Sequence, residues 1–174
     1  MNPIFLTGYM ASGKTTVGKR LAEKLGLRFT DTDEFIENRY RKTIAKIFEE
    51  HEESGFRNIE RCILKEVSGF KNVVISTGGG LPCFFDNMEV MNAAGLTVYL
   101  KVSAEELTTR LFSAIRRRPL VENKSLQEMK DYVESSLQQR KPFYEKAAIV
   151  SDCETLFKGE NFERTIEEII KQLP

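Results

Sequence analysis

A glycine-rich segment near the N-terminus constrains this chain more than any other feature of its sequence. Residues 8–15 are GYMASGKT and match G-x-x-x-x-G-K-S/T, a pattern that joins a β-strand to an α-helix. An apolar run, residues 4–7, precedes the motif, and Val17, Leu21 and Leu25 follow it at four-residue spacing. This context predicts strand, loop and helix. Because such a loop turns backbone N–H groups towards phosphate oxygens, the sequence predicts a nucleotide-phosphate site.

Two side chains of this loop have predicted roles in binding a nucleoside triphosphate. Lys14 can reach the β- and γ-phosphates. The hydroxyl of Thr15 can bind one Mg²⁺ ion, which bridges those phosphates. The loop by itself leaves the reaction open, because many enzyme classes share it.

The remainder of the chain alternates short apolar runs with amphipathic helical patterns. Further strands are expected at residues 27–30, 73–76, 97–102 and 147–150, each separated from the next by helical spacing. This alternation predicts a three-layer α/β fold, with a five-stranded parallel sheet flanked by helices and ligands at the carboxyl ends of the strands. At 174 residues we expect one domain, 1–174. Residues 115–124, IRRRPLVENK, lack apolar periodicity, so we expect a mobile loop there, within a lid segment of about 112–124.

Composition narrows the possible partners and compartment. Lys plus Arg equals Asp plus Glu at 26 each, so no overall field attracts nucleic acid or an anionic membrane. Cys62, Cys83 and Cys153 are widely spaced and odd in number, which disfavours a disulfide framework or a zinc site and fits a reducing cytoplasm. The chain has no apolar run of membrane-spanning length and no signal-peptide pattern at its N-terminus. We therefore expect a soluble, cytoplasmic protein.

Two aspartates follow the second predicted strand. Asp31 could join the magnesium shell through water, and Asp33 could hydrogen bond an acceptor hydroxyl and take its proton, as a base or only as an orienting group. The alternative is that these aspartates simply cap the next helix. After the third strand, Gly78, Gly79 and Gly80 leave bare backbone that a substrate could approach, or form a plain flexible turn.

Four arginine-bearing segments are candidates for ligand binding, although a single arginine is usually solvated. Arg57 lies three residues before Glu60, and that pairing would fix its guanidinium for a carboxylate. One of Arg116, Arg117 and Arg118, in the unpatterned loop, could stabilise a transferring phosphate, or the three could form a solvated charge run. Arg140 could reach a ligand or satisfy the carbonyl groups at a helix end. Arg110 could stack on the nucleotide base.

Two common classes of nucleotide hydrolase are disfavoured. The guanine-reading N-K-x-D pattern is missing, since Asn123-Lys124 is followed by no aspartate at the required place. The third strand runs into glycines rather than into the carboxylate typical of mechanical ATPases.

Six segments, in order, resemble the shikimate kinase family over nearly the whole chain: GYMASGKT, FTDTD, TIAKIFEEHEESGFRNIE, VVISTGGG, RRRPL and QRKPFYEKAA. The resemblance implies a P-loop fold of the nucleoside-monophosphate-kinase type with a mobile lid. It also implies transfer of the γ-phosphate of ATP to the 3-hydroxyl of shikimate, with Mg²⁺, in aromatic amino-acid biosynthesis. The expected partners are ATP and shikimate, with no nucleic acid or membrane, and we expect a monomer.

The family's motifs imply roles for individual positions. The implied catalytic residues are Lys14, Asp33 and Arg118. Those implied for ATP are Gly8, Ala11, Ser12, Gly13, Lys14, Thr15, Thr16 and Arg118, to which the stacking argument adds Arg110. Those for shikimate are Asp33, Arg57, Gly78, Gly79, Gly80 and Arg140, with helices at about 33–61 forming the acceptor site, and those for the metal are Thr15 and, through water, Asp31. Residues 151–158 lack the basic, proline-containing adenine loop of some members, so no adenine contact is assigned there.

Two rival functions remain open from the sequence. Another kinase of the same fold, such as a gluconate kinase, would also use Lys14, Thr15 and Asp31. A nucleotide-sensing binding module would hydrolyse ATP slowly and signal to a partner protein.

Overall fold

The computed structural model describes residues 1–114 and 125–173, with only the backbone of residue 114. The described residues form one parallel sheet of five strands in the order β2-β3-β1-β4-β5. The strands are β1 (Ile4–Thr7), β2 (Arg28–Asp31), β3 (Val73–Ser76), β4 (Leu96–Lys101) and β5 (Ile149–Asp152). The helices are α1 (Lys14–Leu25), α2 (Thr32–Tyr40), α3 (Ile44–Val67), α4 (Asn87–Ala94), α5 (Ala104–Ala114), α6 (Leu126–Tyr144) and α7 (Asn161–Lys171).

The predicted fold class is confirmed, with small differences at strand ends. The first and third strands lie where the sequence predicts them. The second and fourth are shifted by one residue, and the fifth lies at Ile149–Asp152 rather than at 147–150. Apolar runs locate strands, but backbone pairing with the neighbouring strand sets their ends.

The inner strands β1 and β3 are buried on both faces of the sheet, which explains why they are mostly apolar. Every residue of β1 and β3 is buried. Successive side chains of a strand point to opposite faces. Phe5 accordingly packs into a core with α3 and α4, and Leu6 into a second core with α1, α6 and α7. A parallel sheet covered by helices on both faces needs this all-apolar pattern.

The strand order directs ligands to the end of β1. β3 and β4 lie on opposite sides of β1. The chain leaving β1 passes to the side of β2 and β3, whereas the chain leaving β3 crosses to β4 on the other side, so a crevice opens at the carboxyl end of β1. The glycine-rich loop leaves β1 there. Asp31 ends β2 and the triple glycine follows β3 at the same edge.

Helix α3 is interrupted at Glu52, where φ is 56° and ψ is −176°. The break divides α3 into two helical segments. Phe48 and Phe56 face each other across it with ring centroids 5.0 Å apart. The second segment carries Arg57 and Glu60 towards the glycines after β3.

No helix within residues 1–114 and 125–173 is both long and apolar enough to cross a membrane. The three cysteines are free thiols. The Arg116–Arg118 segment and most of the predicted lid lie outside the described residues.

Candidate active site

A cavity of about 800 Å³ opens at the carboxyl ends of the strands. Of the residues implied by sequence, it is lined by Ala11, Gly13, Lys14, Thr15, Thr16, Asp31, Asp33, Gly79 and Arg110. Gly8 and Ser12 are buried beneath it. The cavity therefore joins the phosphate loop to the aspartates of β2 and α2.

The phosphate loop is curled around its own lysine. The ammonium group of Lys14 donates hydrogen bonds to the carbonyl oxygens of Gly8 and Tyr9, each at 2.8 Å. Gly8 has φ of 141°, and a Cβ there would lie 2.9 Å from the carbonyl oxygen of Leu100. Only glycine fits this position. The loop thus places the lysine charge on the cavity wall.

Gly13 opens the first turn of α1 to an anion. It is the N-cap residue of the helix, with φ of 103°, and it supplies no capping side chain. The first N–H groups of α1 therefore remain directed at the cavity, where the positive end of the helix favours phosphate. This geometry supports the predicted ATP site.

Thr15 and Asp31 provide the oxygen atoms expected of a magnesium site. The Thr15 hydroxyl donates a 3.0 Å hydrogen bond to Oδ2 of Asp31. The part of the chain described here holds no cluster of three or more metal-ligating side chains. This donor set fits Mg²⁺, because that ion keeps several waters and takes one or two protein oxygens together with phosphate oxygens.

Helix capping falls on Asp31 rather than on Asp33. Oδ1 of Asp31 accepts a 3.0 Å hydrogen bond from the backbone N–H of Asp33, and Asp31 is the N-cap residue of α2. The capping alternative is therefore confirmed for Asp31 and wrong for Asp33. Its carboxylate is left to face the glycines after β3.

Asp33 sits in an environment that disfavours its charge. Burial, and then the nearby carboxylate of Asp31, raise the pKa of Asp33 to about 6, while the charges of Lys14 and Arg57 oppose that rise. The positive charges of Lys14, in the phosphate loop, and of Arg57, on α3, thus both act on Asp33. A carboxylate with this pKa is ionised at neutral pH and can still accept a proton.

The triple glycine allows charged side chains to approach the backbone closely. A Cβ on Gly78 would lie 2.6 Å from Oδ1 of Asp33 and 3.1 Å from Oε1 of Glu60, and one on Gly80 would lie 2.8 Å from Nη1 of Arg57. At these two positions, Asp33, Glu60 and Arg57 occupy the space that a larger residue would need. Gly79 lines the cavity itself.

Arg57 is held by two carboxylates and by aromatic rings. It donates to Glu60 at 2.5 Å and to Glu53 at 3.1 Å, so the predicted Arg57–Glu60 pair is confirmed. Its guanidinium also lies 4.2 Å from the ring centroid of Phe84. Glu60 is only 2% exposed, and burial raises its pKa to about 7 against the opposing charge of Arg57.

Arg140 is held differently, by tyrosines. Its guanidinium carbon lies 5.4 Å from the ring centroid of Tyr9. Burial lowers the pKa of Arg140, but its interactions with Tyr144, Tyr9 and Cys83 outweigh burial and raise it overall. The hydroxyl of Tyr144 also donates to the carbonyl oxygen of Gly79 at 2.6 Å. Tyr144 therefore connects α6 to the glycine turn. The sequence argument missed both tyrosines, although Tyr9 lies in the recognised loop and Tyr144 follows Arg140 by one helical turn.

Arg110 is fixed at the nucleotide end of the cavity. It donates to the carboxylate of Glu106 at 2.9 Å and to the carbonyl oxygen of Cys153 at 2.8 Å. Its guanidinium carbon lies 5.0 Å from the ring centroid of Phe157, which also lines the cavity. Sequence reasoning assigned nothing to Phe157, because the stretch around it lacks the expected basic pattern. Arg118 lies outside the described residues.

Fold and site together define a P-loop kinase of the small-molecule type. A family model described as shikimate kinase matches residues 10–174. The chain belongs to the shikimate kinase family.

Individual relatives agree. The chain is 54% identical to a shikimate kinase from Parabacteroides distasonis, over 90% of each chain. The crystal structure of a shikimate kinase from Bacteroides thetaiotaomicron superposes with a TM-score of 0.94 at 45% identity, covering 98% of this chain and 97% of that one. A shikimate kinase from Acinetobacter baumannii, solved in complex with shikimate, gives a TM-score of 0.83 at 32% identity, covering 98% and 92%. The predicted family and kinase activity are confirmed.

A gluconokinase from Sinorhizobium meliloti shares the fold alone. It superposes with a TM-score of 0.58 at 13% identity, covering 98% of this chain and 94% of that one. The gluconate alternative therefore draws on the common architecture and not on sequence similarity.

Proposed function

We propose that this chain transfers the γ-phosphate of ATP to the 3-hydroxyl of shikimate, giving shikimate 3-phosphate and ADP. The observation that carries the proposal is the position of Asp33, which lines the cavity together with Lys14 and lies against Gly78, while Arg57 lies against Gly80 in the same turn. An acceptor hydroxyl bound beside Asp33 would face the phosphate loop across the cavity.

The acceptor side suits a hydroxylated carboxylate. Arg57 is largely balanced by Glu60 and Glu53, whereas Arg140 has no carboxylate partner among the residues described. The pair of arginines therefore leaves positive charge for one substrate carboxylate, which guanidinium groups bind in a forked geometry. The backbone of Gly79 and the carboxylate of Asp33 supply hydrogen-bonding groups for ring hydroxyls.

On the nucleotide side, the open N–H groups of α1 and the ammonium of Lys14 would bind the phosphates of ATP. Thr15 and Asp31 would hold Mg²⁺, Asp31 through water. When bound, this ion offsets negative charge on the β- and γ-phosphates. Arg118 keeps its role from the family resemblance, stabilisation of the transferring phosphoryl group.

Asp33 would act on the acceptor hydroxyl. Its ionised carboxylate accepts the hydrogen bond of the 3-hydroxyl, and the proton passes to Asp33 as the oxygen forms its bond to the γ-phosphorus and the bond to ADP breaks. The pKa of about 6 keeps Asp33 mostly ionised at neutral pH while making it a better proton acceptor than an ordinary aspartate. A purely orienting role would need the same position but not the same titration.

A coupled ADP-release assay tests the proposal with shikimate, gluconate and a nucleoside monophosphate as separate acceptors. We expect turnover that depends on shikimate and on Mg²⁺, with neither other acceptor supporting it. Turnover with gluconate or a nucleoside monophosphate but not with shikimate would overturn the acceptor assignment. Slow hydrolysis that no acceptor accelerates, together with nucleotide-dependent capture of a partner protein, would favour the sensing module.

We also propose that the enzyme acts as a cytoplasmic monomer without nucleic acid or membrane partners. The balanced charge of the sequence supports the absence of nucleic acid and membrane partners. Sedimentation equilibrium at enzyme concentrations used in the assay would give one species of about 20.0 kDa. A stable dimer would contradict the monomer.

A further inference from the structure

Tyr9, the second residue of the phosphate loop, contacts both halves of the site. Its carbonyl oxygen accepts the 2.8 Å hydrogen bond from Lys14. Its side chain is only 1% exposed, and the ring lies against the guanidinium of Arg140 on α6. One residue therefore contacts the phosphate lysine through its backbone and the acceptor-side arginine through its ring.

The tyrosine hydroxyl does not explain this placement. It is buried beside Ser136 of α6 and makes no hydrogen bond of standard geometry with the described residues. A buried hydroxyl without a good partner costs free energy relative to a phenylalanine ring. We therefore take the aromatic face, and not the hydroxyl, as the part of Tyr9 that acts on Arg140.

The two acceptor-side arginines are oriented by different means. Arg57 gives N–H donors to Glu53 and Glu60. Arg140 makes no ion pair within residues 1–114 and 125–173; its guanidinium lies over the ring of Tyr9 and beside the hydroxyl of Tyr144. An aromatic face can hold a guanidinium plane without neutralising its charge or occupying its N–H groups.

We propose that Tyr9 is a positioning residue for Arg140, its ring face holding the guanidinium ready for the acceptor's carboxylate. This inference rests on the proposed function, in which Arg140 binds that carboxylate. It makes the ring, and not the hydroxyl, the element that matters. It also predicts an effect on acceptor binding from a residue of the nucleotide loop.

A series of ring-fluorinated phenylalanines at Tyr9 tests the inference, since fluorine weakens the negative ring face with little change of shape. Tyr9→Phe is expected to leave KM for shikimate within about twofold, because the hydroxyl is not used. From Phe to monofluoro-, difluoro- and trifluorophenylalanine, KM for shikimate is expected to rise stepwise to about five- to tenfold, the range of a partly desolvated cation–π contact. KM for ATP should stay within about twofold throughout.

Two controls separate positioning from general damage. The same fluorinated residues at Phe5, which is fully buried on the preceding strand, should leave KM for shikimate flat. The methyl ester of shikimate, which has no carboxylate charge, should show no dependence on fluorination at Tyr9. Thermal unfolding of each variant checks that the fold is intact.

The outcomes are distinct. A flat KM for shikimate across the Tyr9 series, in an enzyme that turns over shikimate, overturns the inference and leaves the proposed function standing. An equal rise for shikimate and its methyl ester also overturns it, since the effect would not act through the carboxylate. A wild-type enzyme that does not turn over shikimate overturns the proposed function and the inference together.

Discussion

The hydroxyl of Thr15 donates a 3.0 Å hydrogen bond to Oδ2 of Asp31, joining the start of α1 to the end of β2. The same aspartate caps α2 through its other oxygen. One carboxylate thus fixes the helix that carries Asp33 and completes the proposed magnesium site.

Asp31→Asn is expected to raise the Mg²⁺ concentration required for half-maximal activity by roughly tenfold, because a charged oxygen near the ion becomes a neutral amide. Asparagine still caps a helix, so the free energy of unfolding should change by less than about 1 kcal/mol. Magnesium titrations of ADP release measure the first effect, and urea denaturation the second. Glu34→Gln, an exposed carboxylate on the same helix, is the matched control. An unchanged magnesium dependence would remove Asp31 from the metal site.

The pH profile of kcat should fall on its acid side near the pKa of Asp33. With a folded-state pKa of about 6, kcat with shikimate is expected to fall below that pH as the carboxylate gains its proton. Asp33→Asn should lower kcat by roughly 10²- to 10⁴-fold, the range for a lost general base, with little change in the dissociation constant of ATP. If the variant keeps a kcat within tenfold of wild type, Asp33 only orients the hydroxyl.

The raised pKa of Asp33 also affects stability: the deprotonation that favours activity lowers the free energy of unfolding. Because the folded pKa of Asp33 is raised from 3.8 to about 6, the folded state binds its proton more tightly than the unfolded state does. Protonated Asp33 therefore stabilises the folded state below about pH 4, and this contribution is lost as the pH rises through about 6. Asp33→Asn should therefore raise the free energy of unfolding at pH 8 by about 1–3 kcal/mol. Equal urea midpoints for wild type and variant at pH 8 would contradict this.

Gly78→Ala should disturb the acceptor side selectively. The new Cβ would lie 2.6 Å from Oδ1 of Asp33, so this carboxylate must move. We expect kcat with shikimate to fall by roughly 10²-fold, since displacements of about 1 Å can cost that much. Calorimetric ATP binding should be unchanged. Gly69→Ala, whose Cβ would meet one backbone oxygen at 3.4 Å, is the control and should behave as wild type.

Variants of Arg57 and Glu60 should have separable effects on stability and on acceptor binding. Arg57→Met leaves Glu60 buried without its partner, which we expect to cost about 3 kcal/mol of unfolding free energy. Its KM for shikimate should rise by about 10- to 100-fold through the lost charge-assisted hydrogen bonds. Adding Glu60→Gln should restore most of the stability and none of the affinity. A double variant with wild-type KM would show that Arg57 does not bind the acceptor.

Local motifs were sufficient to locate the nucleotide side of the site. Gly8, Gly13, Lys14 and Thr15 lie within one loop, and their positions follow from sequence spacing and the strand–helix context. The pairing of Arg57 with Glu60 was also predictable, because residues three apart on a helix are neighbours. Nearby chain positions determine all of these features.

The sequence alone determined the phosphate loop, the parallel sheet and the family, because each depends on short-range patterns of residues. Only the tertiary structure decided how Glu60 comes to face Gly78 and that Tyr9 lies against Arg140. The last contact joins residues 131 positions apart, through the packing of α6 beside the loop. Side-chain contacts at such separations depend on how the helices pack on the sheet, and no local spacing encodes them.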